Sequence, residues 1–385
     1  MGEIFSFTGA GKIVFGQGAI AQLVDYIEDM GKKRPFVVMD RGLAATGVEE
    51  MISEVFLKHK HTYILFDKVE GEPPIELADE GAALASEEKA DIVVGIGGGS
   101  AMDVAKAVAV LAAHGGKAVD YLGLNKVPGP GFPKIMVPTT AGTGSEVTFT
   151  SVFIRKDIKK KEGMNSPFLY PELALLDPLL TLTVPPDVTA STGIDALCHA
   201  IESYTSIIAS PMSEMISLEA IRLIASNLRI CVHNGTDRDA REAMLLGSLY
   251  AGLGLANAGV TAVHSLSYPL GGRFGIPHGL ANTVLLPAVM KFNFPGALEK
   301  FAIIADVIGE VTDDISIREA AHLAIEGVEE LIYDCGIVST LETLGIKRGD
   351  FDDLADVAMT VARPLANNPR KISREDALDI YGDAF

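Results

Sequence analysis

The residues with the clearest chemical potential are a carboxylate and three histidines. Asp195 and His199 stand four apart in GIDALCHAIESY at 193–204, a stretch with helical spacing. On a helix that spacing puts both side chains on one face, as two ligands of a single ion require. His264 and His278 follow farther along, flanking the segment Ser265 to Pro277. One carboxylate with three imidazoles is a borderline-hard donor set suited to Fe(II), Zn(II), Mn(II), Co(II) or Ni(II). Spacing alone leaves a second reading open. An Asp-x-x-x-His pair also serves as a surface or capping pair, and His264 beside Val263 and Leu266 also fits a core histidine. Cys198, three after Asp195, reads as a small packed residue. His59, His61, His114, His233 and His322 lack a matching carboxylate pattern.

A second chemistry is suggested by glycines. Asp91 to Gly95 reads as a strand, and it runs into Gly97-Gly98-Gly99-Ser100 and then Ala101 to Lys106. Glycines admit a ligand close to the backbone, and the helix behind them offers free N–H groups and a positive dipole end. That combination seats a pyrophosphate. It matches the Rossmann pattern only in part, with serine in the last place, and a ligand-free strand-to-helix turn is the competing reading. Thr139-Thr140-Ala141-Gly142-Thr143-Gly144-Ser145-Glu146 is another run of hydroxyls and glycines after a strand. Asp40 ends an earlier strand, where a carboxylate accepts from adenosine ribose hydroxyls and repels a 2′-phosphate. This favours NAD(H) over NADP(H). An ordinary turn or cap residue is the alternative for Asp40.

These residues must be positioned by the elements around them. Phe36 to Met39, Tyr63 to Phe66, Ile92 to Val94 and Lys134 to Val137 are short apolar runs of strand character. Gly18 to Met30, Glu49 to His59 and Ile75 to Lys89 carry helical spacing. Continuous apolar strands alternating with helices predict a parallel sheet covered on both faces. Beyond Pro185-Pro186 the chain turns into long helical segments: Ser191 to Thr205, Ser213 to Asn227, Asp239 to Ala256, Ile317 to Cys335 and Arg348 to Ala362. The double proline marks a boundary. The expected domains are therefore 1–185, an α/β dinucleotide-binding domain of Rossmann type, and 186–385, an all-helical domain.

Bulk properties narrow the function classes. The 385 residues carry a net charge of −19, which opposes binding to a phosphate backbone. No apolar stretch reaches the length of a membrane span, and Val104 to Ala113 reads as a buried helix. Gly2 and Ser6 fit the loose N-myristoylation pattern, though glycines break the apolar run there. Three cysteines without a CxxC pair suit a reducing cytoplasm.

Taken in order, GGGSAMDVAK at 97–106, PTTAGTGSEVT at 138–148, GIDALCHAIESY at 193–204 and AVHSLSYPLGGRFGIPHGLANTVLLP at 262–287 make the chain resemble the iron-containing, or group III, alcohol dehydrogenases over essentially its whole length. The resemblance implies a dinucleotide-binding domain followed by a helical metal-binding domain, an architecture shared with dehydroquinate synthase. It implies that Asp195, His199, His264 and His278 ligate a divalent metal, iron first and zinc as the alternative. It places Gly97, Gly98, Gly99 and Ser100 on the pyrophosphate loop, with Asp103 just beyond. Thr139, Thr140 and Thr143 fall on the second cofactor segment, followed by Thr150. Lys161 falls on a cofactor-contacting lysine, Leu180 near the nicotinamide, and Asp40 on the residue that selects NAD.

The implied activity is hydride transfer between a small alcohol or aldehyde and NAD(H), by a cytoplasmic homodimer or larger homo-oligomer. Two departures stand out. Tyr268 occupies the position where many members carry a second histidine, and a phenol is a poorer base at neutral pH than an imidazole. Glu72, in Val69-Glu70-Gly71-Glu72-Pro73, replaces the amide of a Pro-Asn-Pro turn. Relatives of the same architecture with other chemistry are polyol dehydrogenases of the glycerol type, maleylacetate reductases and dehydroquinate synthase. A non-catalytic nucleotide- or metal-binding protein is the reading from another class.

Overall fold

The computed structural model describes residues 4–158 and 160–385, so Gly2 lies outside the described residues. The chain divides into an α/β unit, Gly9–Val184, and a helical unit beginning at Pro185. The expected first domain, 1–185, needs one correction: residues 4–8 belong with the helical unit. Their anchor there is reciprocal. The Thr8 amide donates to Asn257 Oδ1 at 2.7 Å, and Asn257 Nδ2 donates to the Thr8 carbonyl at 2.8 Å.

In the α/β unit, the chain runs through β1 (Lys12–Phe15), α1 (Leu23–Asp29), β2 (Pro35–Asp40), α2 (Val48–Lys58), β3 (Ile64–Val69) and α3 (Glu76–Glu87). It continues through β4 (Ile92–Gly97), α4 (Gly99–His114), β5 (Gly123–Leu124), β6 (Lys134–Pro138), β7 (Thr150–Arg155), β8 (Lys160–Asn165) and β9 (Leu173–Leu176). Six strands form a sheet in the order β1-β9-β6-β4-β2-β3, and every pairing in it is parallel. The strands are apolar on both faces because each face carries its own core. Phe36, Val38, Val93 and Met136 pack with Val104, Val108 and Phe66 on one side. Val37, Met39, Val94, Ile96 and Val137 pack with Leu23, Ile27 and Ile52 on the other. Alternate residues of one strand thus serve opposite layers, as the strand period of two requires. The second sheet, β5-β8-β7, includes the antiparallel pair β7 and β8.

The sheet order contains a topological switch point. Chain order moves outward from β2 to β3, then returns across β2 to β4 and proceeds the other way. Strand direction of winding therefore reverses between β2 and β4. In open α/β sheets, ligands bind at the carboxyl ends of the strands at such a point. Asp40 ends β2 and Gly97 ends β4.

In the helical unit the order is α5 (Pro186–Thr205), α6 (Pro211–His233), α7 (Arg238–Ala258), α8 (Ala262–Phe274), α9 (His278–Asn293), α10 (Leu298–Ile308), α11 (Ile317–Asp334), α12 (Phe351–Ala358), α13 (Ala362–Asn367) and α14 (Arg374–Asp383). The double proline opens α5, with Pro186 in its first turn. Proline is tolerated there because the first N–H groups have no partner inside the helix. Similarly α6 starts before the expected Ser213, on a capping box between Ser210 and Ser213. The single helix expected over Arg348 to Ala362 is instead broken between α12 and α13. Pro364 falls in the first turn of α13, where a missing N–H is tolerated. No single helix among the described residues is long and apolar enough to cross a membrane.

Candidate active site

Three helices bring the four predicted metal ligands together. Asp195 and His199 project from one face of α5, His264 from the first turn of α8, and His278 from the first residue of α9. Their donor atoms all lie within 4.8 Å of one another. His264 Nε2 is 3.0 Å from His199 Nε2, and Asp195 Oδ1 is 3.9 Å from Nε2 of both His199 and His278. Ligand atoms about 2.0–2.2 Å from a shared tetrahedral ion stand roughly 3–3.6 Å apart, a range the His199–His264 pair already meets and the other pairs approach. Asp195, His199 and His264 are buried, while His278 is half-buried. A carboxylate and three imidazoles that converge in this way could hold a divalent cation, in their chemistry as well as their placement.

Their surroundings reinforce this. Burial pushes the Asp195 carboxyl up, but the imidazoles of His199, His278 and His264 and the Asn282 amide more than offset it, leaving the group below its ordinary range. Asn282 Nδ2 donates to Asp195 Oδ1 at 2.7 Å and lies 3.2 Å from Nε2 of both His264 and His278. Behind His264, the Glu202 carboxylate receives Nδ1 at 2.5 Å. Burial raises the Glu202 carboxyl, while His264, Thr261 and the Val263 amide together hold it below the ordinary value. Neither Asn282 nor Glu202 was singled out by sequence reasoning. The signal was present: Asn282 is four after His278 on α9, and Glu202 is three after His199 on α5, both spacings that share a helix face.

Tyr268 belongs to the same cluster. Its ring centroid is 6.3 Å from that of His264, edge-on, and 6.1 Å from that of His278. From Thr261 to Gly271 it is the one residue that is not buried. Cys198 is buried beside Glu202, with its Sγ 3.8 Å from Oε2, and burial pushes its thiol well above the ordinary value. Arg273, in the last turn of α8, is paired with Asp353.

In the α/β unit, the residues expected to hold the cofactor gather at the strand ends. Gly97 has a φ of +146°, and a Cβ there would stand 2.8 Å from Ala101 Cβ and 3.2 Å from Asp40 Cβ. Only glycine fits that position. A Cβ on Gly99 would stand 2.7 Å from Thr143 Cγ2, and one on Gly98 would stand 3.5 Å from Thr140 Oγ1. The Thr139 amide donates to the Gly97 carbonyl at 3.0 Å. The glycine turn and the threonine segment are therefore one surface. Gly98 caps α4 without a side-chain hydrogen bond, and no acidic residue occupies the first turn, where Ser100 lies. Such a helix end suits an anionic phosphate.

Other expected contacts have partners of their own. Asp103 accepts from Ser145 Oγ at 2.6 Å and the Val152 amide at 2.8 Å, and it pairs with Lys106 at 3.2 Å. It thus ties α4 to the segment of threonines and glycines that follows β6. Thr150 Oγ1 donates to Asn165 Oδ1 at 2.9 Å. Lys161 forms an ion pair with Glu72, the residue that departs from the family turn. Leu180 is buried in the core beneath the sheet. Asp40 accepts from the Gly42 amide at 2.8 Å, so it does cap a turn. Burial raises its carboxyl above the ordinary value, with the Gly42 amide opposing and Glu70 adding to the shift.

A parallel α/β unit with a glycine turn at its strand ends, and a helical unit with four convergent potential metal ligands, are the parts a metal-dependent dehydrogenase requires. Comparison with known proteins names the family. Residues 10–178 match the family described as iron-containing alcohol dehydrogenase, and residues 189–385 match the C-terminal domain of the Fe-containing alcohol dehydrogenase family. The chain is 41% identical over 373 residues to long-chain-alcohol dehydrogenase 1 of Geobacillus thermodenitrificans, covering 96% of this chain and 94% of that one. A crystal structure of 1,3-propanediol oxidoreductase superposes with a TM-score of 0.96 at 36% identity, covering all of both chains. Sulfoacetaldehyde reductase from Bifidobacterium kashiwanohense, in complex with NAD+, superposes with a TM-score of 0.89 at 30% identity, covering 100% of this chain and 99% of that one. This chain belongs to the iron-containing alcohol dehydrogenase family. It is an oxidoreductase of alcohols and aldehydes that uses a nicotinamide dinucleotide and a divalent metal.

Proposed function

We propose that the protein interconverts short alcohols or diols and their aldehydes with NAD(H), with Fe(II) as its metal and Zn(II) as the alternative. The observation that carries this reading is the convergence of Asp195, His199, His264 and His278 within 4.8 Å. Asp195, His199, His264 and His278 would hold a divalent ion, which would supply Lewis-acid chemistry for hydride transfer with a bound nicotinamide. Gly97, Gly98, Gly99 and Ser100 hold the pyrophosphate, and Thr139, Thr140 and Thr143 complete its seat. Asp103 orients that seat through Ser145, and Lys161, Thr150 and Leu180 border the rest of the dinucleotide. Asp40 favours NAD because its carboxylate accepts from ribose hydroxyls and repels a 2′-phosphate. Tyr268 offers its hydroxyl beside the ligands as a proton carrier.

The chain's own part is to bind, orient and exclude water from the reacting groups. Three free, buried cysteines accord with a reducing cytoplasm. The exposed apolar residues Ile207, Ile208, Met212 and Met215 accord with a homodimer or larger homo-oligomer. The test is a panel of short aldehydes assayed with NADH and NADPH on Fe(II)- and Zn(II)-loaded protein, with His264→Ala as control. NADH consumption by the wild type is expected. The variant is expected to lose metal and turnover while still binding NADH. Full turnover by His264→Ala in chelated buffer would remove the metal from the mechanism.

A further inference from the structure

The Glu202 carboxylate accepts from three successive parts of the chain at the start of α8. α8 begins at Ala262, and its first-turn N–H groups need acceptors from outside the helix. The residue before it, Thr261, provides no side-chain cap. Glu202, from α5, does so in its place: Oε1 accepts from the Val263 amide at 2.8 Å and from Thr261 Oγ1 at 2.7 Å. Oε2 faces His264 Nδ1 at 2.5 Å. All of these groups are buried.

A carboxylate facing an amide N–H, a hydroxyl and an imidazole nitrogen acts as an acceptor toward each. The imidazole nitrogen it faces must then carry the hydrogen. With Nδ1 protonated, neutral His264 has its lone pair on Nε2, the nitrogen that points at His199 Nε2. We propose that Glu202 is a positioning residue: capping α8 from the neighbouring helix, it locks His264 in the Nδ1–H tautomer and aims Nε2 into the ligand cluster. This rests on the four-ligand metal reading.

The substitution Glu202→Gln isolates the effect. A glutamine has one acceptor and one donor end. If its amide nitrogen faces His264, the ring must present a bare Nδ1 and place its hydrogen on Nε2, which blocks a metal. If the nitrogen turns the other way, it meets the Val263 N–H, donor against donor. Either arrangement spoils the site while preserving shape.

Zn(II) affinity, measured by competition with a chromophoric chelator, is expected to fall about 10- to 100-fold in Glu202→Gln, the usual cost of losing a histidine's outer carboxylate. The visible spectrum of the Co(II)-loaded variant should change as well. Thr261→Val removes a different hydrogen bond to the same carboxylate and should keep near wild-type affinity, which separates tautomer control from general loosening of the helix end. A folded Glu202→Gln with wild-type Zn(II) affinity and Co(II) spectrum would overturn the proposal. Should that variant not fold, ¹⁵N-histidine NMR of Zn(II)-loaded wild-type protein decides: a proton on His264 Nδ1 with metal on Nε2 supports it, and the reverse refutes it. Wild-type protein that takes up no Zn(II) would refute the metal reading itself.

Discussion

Glu146 offers a test of how the threonine- and glycine-rich segment after β6 is held. It lies in a short helical turn, Ser145–Val147, behind Gly144, and is buried with its Oε1 lacking a hydrogen-bond partner. The nearest cation in reach is already committed. Lys106 Nζ donates to the Ser145 carbonyl at 3.1 Å and also to the Thr150 carbonyl, and pairs with Asp103 at 3.2 Å. Burial therefore dominates, and it pushes the Glu146 carboxyl from 4.5 up to about 7, with a backbone N–H and Lys106 opposing only in part.

A folded-state value above the unfolded one means that the native chain holds the proton more tightly. Native stability from this group is present in full below about pH 4.5 and is lost as pH rises toward about 7. The whole shift is worth about 3 kcal/mol, of which roughly 2.5 is lost between about pH 5 and about pH 8. Glu146→Gln keeps the shape and removes the titration. Relative to wild type, the variant should gain about 2–3 kcal/mol of stability on going from about pH 5 to about pH 8. The chain has no tryptophan, so urea unfolding is best followed by far-UV circular dichroism. Other titrating groups are common to both proteins and cancel in the difference. Parallel stability–pH profiles for the two would refute the assignment of a buried, protonated Glu146.

Two further expectations concern the site. Asp40→Gly removes a charge that a 2′-phosphate would meet; at about 4 Å near a surface that is worth ~1–3 kcal/mol, so the NADPH/NADH ratio of kcat/KM should rise about 10- to 100-fold. An unchanged ratio would remove Asp40 from cofactor choice. Tyr268→Phe should lower kcat about tenfold or more and alter its pH profile, with metal content unchanged. A variant with wild-type kcat and profile would assign the proton path elsewhere.

The parts of the fold that were legible in the sequence are those set by local pattern. The apolar runs at Phe36 to Met39, Ile92 to Val94 and Lys134 to Val137 became β2, β4 and β6 because a strand buried on both faces must be apolar throughout. The β7–β8 pair escaped notice because Lys160–Asn165 is polar and its pairing partner lies outside its own pattern. Helix starts lie earlier than their local pattern predicts where prolines begin helices, at Pro186 and Pro211.

At the site the division is similar. Helical spacing paired Asp195 with His199, since four residues is one turn, and ordered motifs attached His264 and His278. Which acceptor backs His264, and which amide lies against Asp195, depended on how α5, α8 and α9 pack, because Glu202 and Asn282 reach across helices. The same holds for Asp103 and Lys161, whose charges turn out to be matched by Ser145, Lys106 and Glu72. The sequence by itself determined the donor types, the glycine turn and the alternation of strand and helix, all of them consequences of residue chemistry and short-range periodicity. Only the tertiary structure decided the tautomer-setting contact and the partners of each charge, because hydrogen bonds and ion pairs between distant segments follow from packing and leave no period in the chain.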